Sequence, residues 1–284
     1  MTTAALPASL RGKTIGIVGT GNMGQALLGG LAAKGFPAGR IFAVEQDAAT
    51  RAAVVRRYHI RAAALEQLPA QCDAIMLAVK PQDAAPALAA LRAAMPGRRS
   101  ARPVIVSIAA GLTIRALERH VGGGPVVRVM PNLPATVGRA MSVVAVGRGV
   151  SPAQAAIARA MFTCVGEIVE LPERLFDVVT AVSGSGPAYF FLIFRALRDA
   201  GVRGGLPKAA AEQLAIRTAL GSAELVERRH ADLDTLIAQV ASKRGTTEAA
   251  LTVFQKFGLT RTIQAGVAAA ARRSKELSCL LSKS

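Results

Sequence analysis

The chain has 284 residues, 51% of them hydrophobic, which suits two domains of ordinary size with a substantial core and excludes a disordered chain. A formal net charge of +17 raises nucleic acid as a partner, yet the basic residues are scattered, Trp is absent, and the nine Phe sit in apolar runs rather than interleaved with clusters of Lys and Arg. Cys72, Cys164 and Cys279 form no CxxC, and His59, His120 and His230 form no cluster, which argues against a disulfide framework and against a metal site.

In chain order, the opening MTTAALPASLRGK has no sustained apolar stretch of the kind a secretory signal needs. Residues 13–19, KTIGIVG, read as a short buried strand, followed by a helix from Asn22 to Ala33 that ends near Gly35. RIFAVE (40–45) is the next strand and AATRAAVVRRYH the next helix. AIMLAV (74–79) is a strand, the segment near 83–95 a helix, PVIVSIA (103–109) a strand and IRALERH a short helix. PVVRVM (125–130) and MSVVAVG (141–147) are strands, PAQAAIARAMFTCV is a helix, and EIVEL (167–171) is the last strand. Strands alternating with helices predict an α/β fold with a doubly wound, mainly parallel sheet covered on both faces.

After Leu171 the pattern changes. Ala/Leu-rich helical segments at 186–200, 207–229, 232–241, 246–256 and 260–281 are punctuated by Gly201, the GGLP of 204–207, Asp232 and Gly258. The expected division is residues 1–170 as the α/β domain and residues 171–284 as an all-helical domain. The longest apolar runs fall short of the ~18 residues of a membrane span, so no membrane partner is expected. A cytoplasmic protein acting on a small molecule, with no nucleic-acid partner, is the reading that remains.

The first strand runs into GTGNMG, with glycines at 19, 21 and 24. The pattern is weak alone, but here it ends a strand and opens a helix, as a pyrophosphate-binding turn requires. Glu45 ends the second strand, where a carboxylate accepts hydrogen bonds from the ribose hydroxyls of NADH and repels the 2′-phosphate of NADPH. Arg51, Arg56 and Arg57 follow, and an Arg there would pair with that phosphate. From sequence, Glu45 also reads as a solvated loop carboxylate, so NADH and NADPH both stand.

Further motifs sit at the carboxyl ends of predicted strands: AVKPQ (78–82), SIAAGL (107–112) and VVRVMPNLPA (126–135). AVSGSGPAYFF (181–191), GTTEAAL (245–251) and RRSKEL (272–277) follow in the helical half. Gly245, Thr246 and Thr247 open a predicted helix. They read either as caps of its free amides or as an anion site built from those amides and hydroxyls, with Ser242 adding a hydroxyl. Ser183 and Ser185 are placed to cap a helix that starts near Pro187. Lys80 reads as a phosphate partner or a solvated cation, and the three histidines as surface or helix-end residues.

Together these motifs resemble the pyrroline-5-carboxylate reductase family, from Gly16 to about Leu277. The resemblance implies an N-terminal Rossmann domain that binds NADPH or NADH and a helical C-terminal domain that forms an intertwined dimer, with dimers assembling into a decamer. It implies reduction of the cyclic imine L-1-pyrroline-5-carboxylate to L-proline, the last step of proline biosynthesis. Cofactor contacts are implied for Gly19, Thr20, Gly21, Asn22, Met23 and Gly24, for Ala78, Val79, Lys80 and Pro81, and for Ile108, Ala109 and Ala110. Substrate contacts are implied for Ser242, Gly245, Thr246 and Thr247, with the Thr247 hydroxyl on the ring nitrogen as the catalytic contact.

Two departures from the family pattern stand out. Lys243 and Arg244 occupy the positions where the family has Pro and Gly, and Ala64 and Leu65 occupy a loop where many members carry Asn. The alternatives are a reductase of a related cyclic imine carboxylate, a hydroxyacid-dehydrogenase-like enzyme and a non-catalytic dinucleotide-binding protein. The second requires a Lys four residues before an Asn, but Lys208 is followed by Glu212. The third would not need the GTT segment.

Overall fold

The computed structural model describes residues 5–95 and 102–281. Its strands are β1 (Ile15–Val18), β2 (Ile41–Val44), β3 (Arg61–Ala62), β4 (Ala74–Leu77), β5 (Val104–Ser107), β6 (Val126–Met130), β7 (Ala140–Val146) and β8 (Gly166–Glu170). They form one sheet in the order β3-β2-β1-β4-β5-β6-β7-β8. Every neighbouring pair is parallel except β6 with β7. That reversal needs no crossover helix, and a tight turn ending at Gly138, in the left-handed region, makes the connection.

The central strands are apolar on both sides because helices cover both faces. Successive side chains point to opposite faces, and the core divides accordingly. Ile17, Met76, Val106 and Val129 join Leu27 and Leu31 of helix Asn22–Ala33 and Ile157 and Phe162 of helix Pro152–Thr163 in one cluster. Val18, Ile75, Ile105 and Val126 join Leu88 and Leu91 of helix Pro81–Ala94 and Leu117 of helix Ile114–His120 in the other. Alternation along each strand thus decides which helices it meets.

The described residues fall into two compact units, one within Met1–Ser185 and Ala270–Ser284, the other Gly186–Ala269. The break in contacts lies later than the change of hydrophobic pattern near 170. The reason is local. Phe176 and Val179, in the turns after β8, bury against Val143 and Ala145 of β7. Glu173 accepts from Arg128 of β6 at 3.0 Å and from the Ile114 amide at 2.7 Å. These turns belong with the sheet although their sequence is helical.

Observed element ends differ slightly from the expected ones. Helix Pro81–Ala94 starts earlier than the expected 83 because Pro81 takes its first position, where a missing N–H is harmless. The two-residue β3 pairs with β2 and is too short to leave a periodic signal. Ser183 is not a cap. It lies in a π-helical segment, Thr180–Gly184, and its hydroxyl accepts from Asn132 Nδ2 at 3.1 Å. All three histidines sit at helix ends: His59 and His230 as left-handed C-caps, His120 as a last helical residue.

The second unit contains helices Gly186–Arg203, Lys208–Arg229, Leu233–Val240 and Thr246–Lys256 and the first part of Leu259–Leu281. Helices Gly186–Arg203 and Lys208–Arg229 approach closely at Gly201, where an added Cβ would lie 3.1 Å from the Ala211 Cβ. The helical run Glu173–Arg203 is long and apolar enough, by length and composition only, to cross a membrane, a test that helices of soluble proteins also pass. Within it Phe190, Phe191, Leu192 and Ile193 are exposed.

Candidate active site

The parallel register of β1 and β2 sets Val18 beside Val44, so the two strands end side by side. The Gly19 amide donates to the Val44 carbonyl at 2.9 Å. Gly19 has φ 91°, and an added Cβ would stand 2.7 Å from the Ala78 carbonyl oxygen. At Gly24 an added Cβ would come within 2.3 Å of the Gly19 carbonyl oxygen. These two glycines are therefore demanded by the close packing of loop, helix and strand. Gly21 differs: nothing lies within 4 Å of where its Cβ would be. Its backbone faces open space at the start of helix Asn22–Ala33, which has no side-chain cap. A cleft of about 410 Å³ opens there, outside the carboxyl ends of β1, β2 and β4. Open sheets of this kind bind ligands in that place. The loop therefore fits a dinucleotide pyrophosphate.

Of the residues expected to touch a cofactor, Gly19, Gly21, Glu45, Ala78, Val79 and Lys80 line this cleft. Leu65, noted from sequence as a departure, also lines it, as do Gln46, Asp83, Pro86 and Ala87, which were not singled out. Each lies close in sequence to a quoted motif or departure, which is the signal that could have found them. Thr20 is fully buried and Met23 packs against the core. Gly24 and Pro81 serve loop and helix geometry. Asn22 lines a separate cavity of about 500 Å³ with Gly29, Gly30 and Tyr58. Ile108, Ala109 and Ala110 follow β5, beyond β4, and are not among the residues lining the cleft.

Glu45 does not hang free in solvent. Its Oε2 accepts from the Thr20 amide at 2.9 Å and from the Thr20 hydroxyl at 2.9 Å, and its Oε1 accepts from the Asp47 amide at 3.2 Å. Gln25 Nε2 donates to the Thr20 carbonyl at 2.9 Å, so the loop is held from both sides. Burial pushes the Glu45 carboxyl up, but the hydrogen bonds from Thr20, Asp47 and Gln46 outweigh it and hold the group below its ordinary 4.5. Glu45 is a carboxylate at neutral pH.

In the second unit, helix Thr246–Lys256 begins at Gly245 and has no side-chain cap. Thr246 and Thr247 are its first two residues, so neither takes the capping position that sequence allowed. Gly245 donates to the Ser242 carbonyl at 2.9 Å, and an added Cβ there would meet the Ser242 hydroxyl at 2.4 Å. Glu248 reaches back to accept from the Arg244 amide. Arg244 holds φ 59°, in the left-handed region. The segment is thus a tight turn that presents a helix start and its dipole to any anion.

Two family models match the chain. One, described as pyrroline-5-carboxylate reductase dimerisation, covers residues 173–277. The other, described as NADP oxidoreductase coenzyme F420-dependent, covers residues 14–111. A pyrroline-5-carboxylate reductase of Synechocystis sp. is 40% identical over 265 residues, covering 93% of this chain and 97% of the relative. Among solved structures, a pyrroline-5-carboxylate reductase from Coxiella burnetii superposes with a TM-score of 0.86 at 29% identity, covering 94% of this chain and 98% of that one. The Plasmodium falciparum pyrroline carboxylate reductase with NADP bound gives a TM-score of 0.83 at 29% identity, over the same shares of the two chains. With such identity along nearly the whole of both chains, and the glycine loop and cleft in place, the chain belongs to the pyrroline-5-carboxylate reductase family.

Proposed function

We propose that this chain reduces L-1-pyrroline-5-carboxylate to L-proline with NADPH or NADH, the last step of proline biosynthesis. The observation that supports this reading best is the near full-length match to reductases of that name. The glycine loop opening on the cleft gives it a physical basis. When bound, the cofactor supplies the hydride that reduces the C=N bond. Residues 19–24, 78–81 and 108–110 hold it, with Glu45 on the adenine-side ribose. The Thr246 and Thr247 amides and the Ser242 hydroxyl take the substrate carboxylate, at the turn that Gly245 closes on Ser242. The Thr247 hydroxyl orients the ring nitrogen by hydrogen bonding. A Thr hydroxyl does not titrate near neutrality, so its task is positioning rather than proton supply. Solvent then supplies the proton that the product nitrogen carries.

We read the functional division as 1–170 for the dinucleotide and 171–284 for substrate and dimerisation, in a cytoplasmic homodimer whose dimers assemble into a decamer. The exposed apolar side chains of helix Gly186–Arg203 support a protein interface rather than a membrane, since the family model that spans this helix describes dimerisation.

The test is steady-state oxidation of NADH and of NADPH by purified protein given pyrroline-5-carboxylate, with a six-membered imine analogue in parallel. Turnover of the five-membered ring is expected. No turnover with either cofactor refutes the reading, and a preference for the larger ring favours the related cyclic-imine alternative. Thr247→Ala is expected to lower kcat by about 10–100-fold with cofactor affinity unchanged. An unchanged kcat would return Thr247 to a structural role.

A further inference from the structure

The cleft contains the chemistry of a choice between two cofactors, and this inference rests on the cofactor reading above. Among the described residues lining the cleft, the charged groups are Glu45, Asp83 and Lys80. Lys80 follows β4 and Glu45 follows β2, with β1 between them, so the cation stands away from the end of β2. At the end of β2 the Thr20 and Asp47 donors are turned onto Glu45. Thr20 gives its amide and hydroxyl to Glu45 Oε2, and the Asp47 amide goes to Oε1. Asp47 caps the following helix, Ala48–Tyr58, accepting from the Thr50 amide at 2.7 Å. The helix start that would otherwise offer amides to a phosphate thus carries a second carboxylate. Arg51 donates through one guanidinium nitrogen to the Glu45 carbonyl at 2.7 Å and the Gln46 carbonyl at 3.4 Å. Arg57 stacks over Tyr58 at 5.2 Å and lines the separate cavity.

Glu45 can only accept: Oε2 takes two hydrogen bonds and Oε1 takes the Asp47 amide, with the Gln46 amide also favouring the carboxylate, so what approaches it from the cleft must be a donor. A ribose hydroxyl is such a donor. A phosphate dianion brings no proton and would sit against two fixed carboxylates. Because Thr20 is itself buried and bonded to Gln25, Glu45 has no ready way to swing aside.

We propose that this chain is an NADH-preferring member of its family, with Glu45 reading the unphosphorylated ribose and Glu45 together with Asp47 excluding the 2′-phosphate. The test is equilibrium binding by titration calorimetry, using NADH, NADPH, ADP-ribose and 2′-phospho-ADP-ribose on the purified full chain. The unphosphorylated member of each pair is expected to bind at least about tenfold tighter, because a like-charge contact is strongly disfavoured. Asp47→Asn is expected to strengthen NADPH and leave NADH nearly unchanged. Glu45→Gln keeps an acceptor for Thr20 but loses the charge, and should shrink the ratio from both sides. Equal or tighter binding of the phosphorylated ligands by the wild-type chain overturns the preference alone. An unchanged ratio in both variants, with affinity falling for all four ligands, makes Glu45 a loop clamp and overturns its reading of the ribose. Binding of neither cofactor overturns the cofactor reading itself, and the preference with it.

Discussion

Arg244 occupies a position where the backbone favours glycine. Its φ of 59° lies in the left-handed region, which costs an ordinary L-residue roughly 1–2 kcal/mol. The resemblance to the family implies glycine there. Arg244→Gly is therefore expected to raise stability by about 0.5–1 kcal/mol, after the greater freedom of glycine in the unfolded chain is subtracted. Urea unfolding at unchanged slope measures it, and a lower midpoint would show that the Arg244 side chain makes contacts that offset the strain. His59 and His230 share this conformation, at φ 55° and 48°, but each ends a helix, where a left-handed residue completes the C-cap. Glu45 contributes at this scale through pH. Its folded pKa lies below 4.5, so its stabilising effect is present above the unfolded value and disappears as pH falls through the folded one. The need for glycine in GTGNMG was legible in sequence because that spacing at the end of a strand marks a pyrophosphate turn, although Gly19 also answers to the distant Ala78 carbonyl. The Glu45–Thr20 bond was not, since the partners are 25 residues apart and meet only through the β1–β2 register.

Among elements, the pairing of β6 with the turns after β8 rests on a buried ion pair. Arg128 has a side chain only 5% exposed, bonds Glu173 Oε1 at 3.0 Å, and lies 4.7 Å above the Phe176 ring. Removing Glu173 would leave a guanidinium buried without its counter-charge. Glu173→Ala is expected to cost about 3–5 kcal/mol, and the double change Arg128→Met with Glu173→Ala much less. Chemical denaturation of the two variants and the wild type checks this; equal losses would mean that the pair acts only through packing. A single Arg inside the run VVRVM was visible in sequence, but its partner 45 residues on was not. The same holds for Asn132, whose side chain donates to Ser183 and accepts from the Met141 amide at 3.0 Å. Sequence offered Ser183 a local cap, and tertiary structure gave it a distant partner instead.

For the whole molecule, the second unit leaves Phe190, Phe191 and Leu192 exposed by 59%, 55% and 55%. A contiguous apolar face of this kind marks an interface. At micromolar concentration the protein is expected to sediment as a dimer or a larger assembly, and Phe191→Glu to shift it toward monomer. A wild-type monomer in analytical ultracentrifugation would contradict this. The net charge of +17 is spread over the chain and has no assigned task in either unit. Sequence by itself determined the alternation of strands and helices, the glycine loop and the family, because each depends on spacing within a short window or on the order of motifs. Tertiary structure alone decided that Glu45 is clamped to Thr20, that the turns up to Ser185 stay with the sheet, and that β7 runs against β6. Those outcomes depend on strand register and on burial between distant residues, and hydrophobic periodicity carries no information about which distant surfaces will meet.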